Sequence, residues 1–414
     1  MIFVSGIDDF YTPFLFMAAA FRSMDPSLEE ASMASGAGVV LTLRRITLRL
    51  MLPAAFAVCL LIFIRGIEDF EIPALLGIPA GIYVLSTEIY LSVRRPPTDF
   101  NLAATVSMFY LLVALFGLYL YFKSTRVTER FAVITGKGFR PRIFHLGSWR
   151  FPAALSALFL LTIAVYLPLA VLAWTSFLPW YSPPSWEMVQ ALTLKHFRWL
   201  VSDDLILSAF KNTLVVGLFS GTLVTIFGAV ISWIVIRTRV PGRRFLDGLA
   251  FSATAYPSMV LGLALIWFYL TVPIPFYGTL WILVIAYVTK RLPTSTRVCS
   301  AVMMQIRSEL EEASQVCGAS FLRTFFRIVS PLLTPGLFVS FVSTLTITFK
   351  ALSLPVLLSR SGTEMVPLLI FDLFESGRYS EVAALGCVTI LFVTVLTLAL
   401  RSLSQRFGLS PSIG

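Results

Sequence analysis

The chain has 414 residues, of which 57% are hydrophobic and 13% charged, against about 45–50% and about 25% in soluble domains. A water-soluble fold cannot hide that much apolar surface, so the composition excludes a soluble enzyme, a secreted disulfide scaffold and a disordered chain, and leaves a polytopic membrane protein. The formal charge of +10 comes from 32 Lys and Arg against 22 Asp and Glu. It gathers in short segments between apolar runs, which is the positive-inside pattern of membrane proteins and not the footprint of a nucleic-acid binder.

A membrane-crossing helix needs about 20 mostly apolar residues. Residues 1–21 are apolar but carry Asp8 and Asp9, so they read as a weak span or the end of one. A span is predicted over about 50–70, running past Arg65, and a clear one over 100–122. Residues 123–150 then hold Lys123, Arg126, Arg130, Lys137, Arg140, Arg142 and Arg150 against Glu129 alone, a basic cytoplasmic linker. Six further spans are expected beyond it. They fall in 151–186, in 212–236, twice in 248–289 with a break at Pro273, Pro275 and Gly278, in 328–349 and in 382–400.

Arg237, Arg239, Arg243 and Arg244, and the Arg-rich stretch 290–327, belong in the cytoplasm by the same rule. Segments 176–209 and 354–381 then lie outside; both contain acids, and the first contains Trp180, Trp186 and Trp199, as an interfacial aromatic belt would. The C-terminus falls inside. The N-terminus lacks the basic n-region and cleavage site of a signal peptide. The predicted fold class is all-α, a polytopic transmembrane helical bundle. Two histidines, His145 and His196, and four scattered cysteines, Cys59, Cys299, Cys317 and Cys387, offer neither a metal site nor a catalytic triad.

One segment repeats. Leu28-Glu29-Glu30-Ala31-Ser32 recurs as Leu310-Glu311-Glu312-Ala313-Ser314, an offset of 312 − 30 = 282. The same offset pairs Gly36 with Gly318, Ala37 with Ala319, Arg45 with Arg327, Ile46 with Ile328, Pro53 with Pro335 and Pro73 with Pro355. The chain therefore contains two homologous halves. Each copy opens a polar helix, reaches a Gly suited to a sharp turn or a close backbone approach, and leads through a basic-apolar helix into the next span at a Pro. A single copy would read as an ordinary solvated loop; two at matching cytoplasmic positions mark a constrained surface.

These residues resemble the cytoplasmic "EAA" loop of binding-protein-dependent ABC importer permeases, whose pattern is roughly E-A-A-x-x-x-G, a spacer, then Ile and Pro. Here it reads Glu30-Ala31-Ser32-x-x-x-Gly36…Ile46…Pro53 and Glu312-Ala313-Ser314-x-x-x-Gly318…Ile328…Pro335, with Ser in place of the second Ala both times. The resemblance implies that these segments are coupling helices docking on ATPase subunits. It makes Glu29, Glu30, Ala31, Gly36, Glu311, Glu312, Ala313 and Gly318 the candidate ATPase-coupling residues, with no catalytic residue and no metal ligand. The implied partners are two copies of an ABC ATPase, a periplasmic substrate-binding protein and membrane lipid, in the bacterial inner membrane. ATP would be bound by the ATPase subunits, since Thr135-Gly136-Lys137-Gly138 lacks the flanks of a P-loop. This chain is then a transport subunit and not an enzyme. Residues 70–77, 352–359 and 135–138 look most like the ferric-iron branch of fused two-half permeases; thiamine, polyamine and aminoethylphosphonate permeases are the neighbouring possibilities.

The resulting domain plan is a C-terminal part of a first permease half over 1–122, with its EAA loop at about 22–50; a linker over 123–150; and a second half over 151–414, with its EAA loop at about 290–328. Shifting 151 by the offset gives 151 − 282 = −131, so the first half would begin about 130 residues before Met1. On that reading the N-terminal half is truncated and the 414-residue chain is expected not to transport by itself. Glu68 and Lys350 are also related by the offset, since 68 + 282 = 350. They either pair across the interface of the halves or extend separately to the outer surface, with Arg65, Asp69 and Glu71 available to Glu68 for local pairs. The competing functional readings are an ion-coupled secondary carrier with parallel repeats and an inactive fragment.

Overall fold

The computed structural model describes residues 1–22, 24–25, 27–131, 147–272 and 274–406. The linker residues 132–146, with the Thr135-Gly136-Lys137-Gly138 segment and His145, lie outside the described residues, as does Pro273. Regular structure among the described residues is helical, as the composition predicts. The chain divides into two compact units, Met1–Ala170 and Val171–Gly414.

In the first unit, α1 (Ile2–Asp8) and α2 (Tyr11–Arg22) form a pair bent by 49°. The bend falls at the acids that weakened this stretch as a span: Asp9 sits 3.6 Å from the Arg65 guanidinium, which also donates to Thr12 Oγ1 at 3.0 Å. Arg65 thus pairs with Asp9, outside its own cluster. Next come α3 (Ser27–Ala34) and α4 (Val39–Glu68), then α5 (Leu85–Arg94) and α6 (Phe100–Phe131). Tyr110 on α6 is buried and donates to the Ile67 carbonyl at 2.5 Å, tying α6 to α4 near the end of α4.

The basic-apolar helix expected within 22–50 is continuous with the span that follows, because α4 already begins at Val39. Residues 39–47 contain no Gly or Pro, and Arg44 and Arg45 end the apolar run without interrupting the backbone ladder. The Pro that was expected to mark the start of the span lies inside the helix in both copies, Pro53 in α4 and Pro335 in its counterpart. A proline costs the helix one N–H, leaving the carbonyl four residues back without its partner. In the second copy that carbonyl, on Pro331, accepts from Thr334 Oγ1 at 2.7 Å.

The helix α7 (Gly147–Phe177) carries the boundary between the units. The second unit continues with α8 (Lys195–Ser202), α9 (Asp204–Arg237), α10 (Arg243–Ser252), α11 (Ser258–Thr271), α12 (Leu280–Gln305), α13 (Glu309–Val316), α14 (Phe325–Lys350), α15 (Val366–Glu375) and α16 (Tyr379–Arg406). Asp203 caps α9 by accepting from the Leu205 and Ile206 amides at 3.0 and 3.3 Å.

Two expectations need correction here. The first span of 248–289 is itself broken, by 107° between Arg243–Ala255 and Ser258–Thr271, where Pro257 disfavours helix in the residue before it. The second does not stop at Thr289. It continues through Lys290, Arg291 and Pro293 to Gln305, so the first part of the segment 290–328 belongs to the same helix. Charge ended the apolar run in the sequence but does not end a helix. Among the described residues, six helices are long and apolar enough to cross a membrane, or up to eight if each bent pair is one span; α12, which carries Lys290, Arg291 and Arg297, is not one of the six.

The core of the second unit lies where α9, α12 and α14 meet. Apolar surface gains little from leaving lipid, so membrane helices associate through close packing and interhelical hydrogen bonds. Gly228 on α9 leaves no room for a side chain: a Cβ there would stand 2.2 Å from Ser295 Oγ and 3.1 Å from the Ser295 carbonyl carbon. Ser295 Oγ donates to the Val224 carbonyl at 3.0 Å and accepts from Ser340 Oγ at 2.6 Å, joining all three helices. One turn further, Ser232 Oγ donates to the Thr296 carbonyl at 2.8 Å and accepts from Ser300 Oγ at 3.1 Å. At the opposite end from α13, Asn212 Nδ2 donates to the Gly362 and Glu364 carbonyls at 3.2 and 3.0 Å, and Thr213 Oγ1 accepts from the Val366 amide at 2.9 Å.

Gly228→Ala should therefore destabilise the second unit by about 1–3 kcal/mol through overpacking. Gly248→Ala, on the exposed side of α10 with nothing within 4 Å of its Cβ position, should be neutral or stabilising by about 0.5–1 kcal/mol. Thermal unfolding of the two variants in the same detergent checks the opposite signs.

Candidate coupling site

The repeated segment adopts the same local structure in both units. The first coupling helix, α3, ends in a turn closed by Gly36 N–H donating to Met33 O at 2.9 Å and Ala37 N–H to Ser32 O at 3.2 Å. The second, α13, ends with Gly318 N–H to Gln315 O at 2.9 Å and Ala319 N–H to Ser314 O at 3.1 Å. These paired bonds are the Schellman closure of a helix, which needs a left-handed residue after the cap. Gly36 has φ of +85° and Gly318 of +79°, and nothing lies within 4 Å of a Cβ built on either. Of the two roles open to these glycines in the sequence, the sharp turn is the one they play.

After the turn, each chain re-enters a helix through one π turn, Leu43–Thr47 in α4 and Phe325–Val329 in α14, again 282 apart. The Ser that stands where the family pattern has its second Ala has a partner in both copies. Ser32 Oγ lies 2.9 Å from Thr42 Oγ1, and Ser314 Oγ lies 3.0 Å from Thr324 Oγ1. Each bond fastens the coupling helix to the start of the following one. Thr42 and Thr324 also share the offset, so this signal was present in the sequence and was missed.

The two adjacent glutamates of each copy part company. Glu29 is 4% exposed and Glu311 8% exposed, while Glu30, Ala31, Glu312 and Ala313 are exposed. Successive helical residues are about 100° apart around the axis, so neighbours cannot share a face. Glu29 Oε1 accepts from Thr47 Oγ1 at 2.6 Å. The residue equivalent to Thr47 is Val329, and Glu311 is held differently. Its Oε1 lies 3.0 Å from Arg237 Nε, and its Oε2 accepts from Trp233 Nε1 at 3.4 Å. The Arg237 guanidinium also donates to the carbonyls of Met303, at 3.0 Å, and of Ile306. Sequence reading treated Arg237 as one of several topology-setting cations; its burial against a carboxylate 74 positions away carried no local signature.

Glu68 and Lys350 are the last residues of α4 and α14, at equivalent places in the two copies. Lys350 suits a helix C-terminus, whose dipole favours cations. Among the described residues, no group of three or more His, Cys, Asp or Glu side chains could hold a metal ion.

Replacing Gly36 or Gly318 by Leu should cost the local turn about 1–2 kcal/mol, the penalty for a left-handed L-residue. The amides that close the cap, Ala37 and Ala319, should then exchange faster by about tenfold, while Asn, which tolerates this conformation, should have a smaller effect. Amide hydrogen exchange of the purified protein reads this directly.

The sequence matches the family described as "Binding-protein-dependent transport system inner membrane component" over residues 11–129 and 221–409. Among named relatives, it is 26% identical over 388 residues to the ferric transport system permease protein FbpB of Actinobacillus pleuropneumoniae, covering 93% of this chain and 55% of the relative. It is 28% identical to the spermidine/putrescine transport system permease protein PotC of Haemophilus influenzae, covering 60% of this chain and 93% of the relative. It is 26% identical to the sulfate transport system permease protein CysT of Salmonella typhimurium, covering 50% of this chain and 80% of the relative. The chain thus spans about 55% of the length of the ferric-transport relatives it matches. Among solved structures, a bacterial ABC transporter involved in the import of the acidic polysaccharide alginate shares the fold, with a TM-score of 0.52 and 19% identity over 63% of this chain and 96% of that one. The family match, the repeated helix and turn, and the apolar spans agree: this chain is a multi-pass membrane protein of the family of binding-protein-dependent transport system inner-membrane components.

Proposed function

We propose that the chain is the permease subunit of an ATP-driven ABC importer that takes ferric iron from a periplasmic binding protein and passes it to the cytoplasm. The observation that carries the reading is the duplicated surface of α3 and α13. Each offers an exposed Glu-Ala pair on a short helix whose inner face is fixed by a buried Glu and a Ser–Thr bond. Two such surfaces suit two copies of one ATPase. Glu30, Ala31, Glu312 and Ala313 make the contact, while Glu29, Glu311, Gly36 and Gly318 hold the contacting helix in shape. Nucleotide binding and hydrolysis belong to the ATPase, and closure of its two copies moves the coupling helices and the spans they lead into.

Ferric iron is favoured as the substrate by the two ferric-transport relatives, which match over 93% and 85% of this chain. A polyamine is the second reading, because the PotC relative is matched over 93% of its own length. Glu68 and Lys350 pair across the two halves in this scheme, a reading that rests on the repeat offset.

Charge reversal of the outward acids, Glu30→Arg with Glu312→Arg, should lower retention of the ATPase by the purified permease by at least about tenfold, as expected for charges at a docking surface. Retention at the wild-type level would remove the coupling role. Uptake of labelled ferric iron, spermidine and sulfate by vesicles holding the assembled importer, with ATP or with an ion gradient alone, identifies the substrate and separates this reading from an ion-coupled carrier. For the charge pair, Glu68→Gln and Lys350→Gln should each destabilise the complex by about 3–5 kcal/mol and the double variant by less than their sum; two near-silent single variants would show that the two do not pair with each other.

A further inference from the structure

Besides the Ser314–Thr324 bond to the start of α14, the second coupling helix is attached to the bundle through Arg237. This residue ends α9, a helix of 34 residues. Its guanidinium donates to the carbonyls of Met303 and Ile306, at the C-terminal end of α12. Those carbonyls belong to the set that a helix end cannot satisfy within itself. Its Nε faces Glu311 Oε1 at 3.0 Å, with only 15% of the Arg237 side chain and 10% of the Glu311 side chain exposed. One turn back on α9, Trp233 donates to the other Glu311 oxygen and lays its ring 4.4 Å from that of Phe325, in the π turn of α14. Between the end of α12 and the start of α13 only residues 306–308 intervene. A single buried carboxylate on α13 thus meets a cation that simultaneously caps α12 and terminates α9.

We infer that Arg237 is a positioning residue that transmits movement of the coupling helix α13 to the helices α9 and α12, through its ion pair with Glu311 and its bonds to the Met303 and Ile306 carbonyls. A buried ion pair resists separation because either charge left alone is uncompensated. A push on α13 is therefore delivered to the ends of α9 and α12 and not taken up in the connection. In the first copy Glu29 is held by the hydroxyl of Thr47 on the helix that follows it, and Val329 offers no such hydroxyl to Glu311.

The inference rests on the proposed ABC-importer function, and the test separates the two. The assembled importer, with its ATPase and binding protein, is reconstituted in vesicles as wild type, Arg237→Gln, Arg237→Lys and Glu311→Gln. ATPase retention, ATP hydrolysis and substrate uptake are measured on the same preparations. Failure of the wild-type permease to retain an ATPase would overturn the parent reading before any variant is compared. If Arg237 transmits motion, Arg237→Gln retains the ATPase and still hydrolyses ATP, but uptake per ATP falls at least about tenfold, with Arg237→Lys intermediate because it keeps the charge and loses the fork. Glu311→Gln, whose side chain also shapes the contacting helix, lowers uptake per ATP in the complexes that still assemble. Should Arg237→Gln fold poorly, Arg237→Lys carries the same comparison. Unchanged uptake per ATP in the variants would overturn the inference, and so would a loss of uptake that only follows a loss of assembled complex.

Discussion

The meeting of α9, α12 and α14 is the constraint on which the second unit depends. In a bilayer, nothing resembling the aqueous hydrophobic effect draws one apolar helix toward another, so contact must come from shape and from hydrogen bonds. Gly228 supplies the shape, letting the backbone of α12 approach until Ser295 fills the space of a missing side chain. Ser295 and Ser340 supply the bonds, and each hydroxyl is satisfied inside the bundle and not by water. This seam fixes the lateral position of the three helices. The aromatic and apolar contacts at either end, such as Trp233 against Phe325 and Phe210 against Phe349, then set how far each end can splay.

The coupling segments are built on a different principle, which is local closure. A short helix in water is marginal by itself, and α3 and α13 have only 8 residues each. Each is kept by a left-handed glycine that folds the chain back, a Ser–Thr bond that ties it to the next helix, and one glutamate turned inward. The outward face is thereby left free of structural duty. Division of two adjacent glutamates between these tasks explains how the same five-residue motif can serve both as an anchor and as a contact surface.

Much of this was legible in the sequence. Apolar run length located α4, α6, α7, α9, α14 and α16, because hydropathy over about 20 residues is a strong signal. The repeat located both coupling helices and their glycines. What was not legible follows one rule: charge ends a hydropathy run, but only backbone chemistry ends a helix. Lys290 and Arg291 hid the second half of α12 for that reason, and Arg44 with Arg45 hid that the basic-apolar helix and the following span are one helix, α4. The break near Pro257 was hidden in the opposite sense, since hydropathy there is continuous while the backbone turns by 107°. Long-range polar pairs such as Arg237 with Glu311 have no periodicity or motif, and only the folded arrangement brings them together.

The matched π turns carry a consequence for how these spans tolerate change in length. A π turn holds one residue more than the α-helical ladder around it, so everything beyond it is rotated by about 100° relative to an uninterrupted helix. In α14 the turn at Phe325–Val329 sets the phase of Gly336, Ser340 and Thr344, small and hydroxyl residues spaced four apart and all buried. Removing one residue from the turn would leave an α-helical ladder without the extra residue at that place. It would swing that stripe away from α9 and α12 and present it to lipid. The irregular turn is thus the gear tooth that keeps the helix on its mesh, and its length is fixed by a contact several turns away.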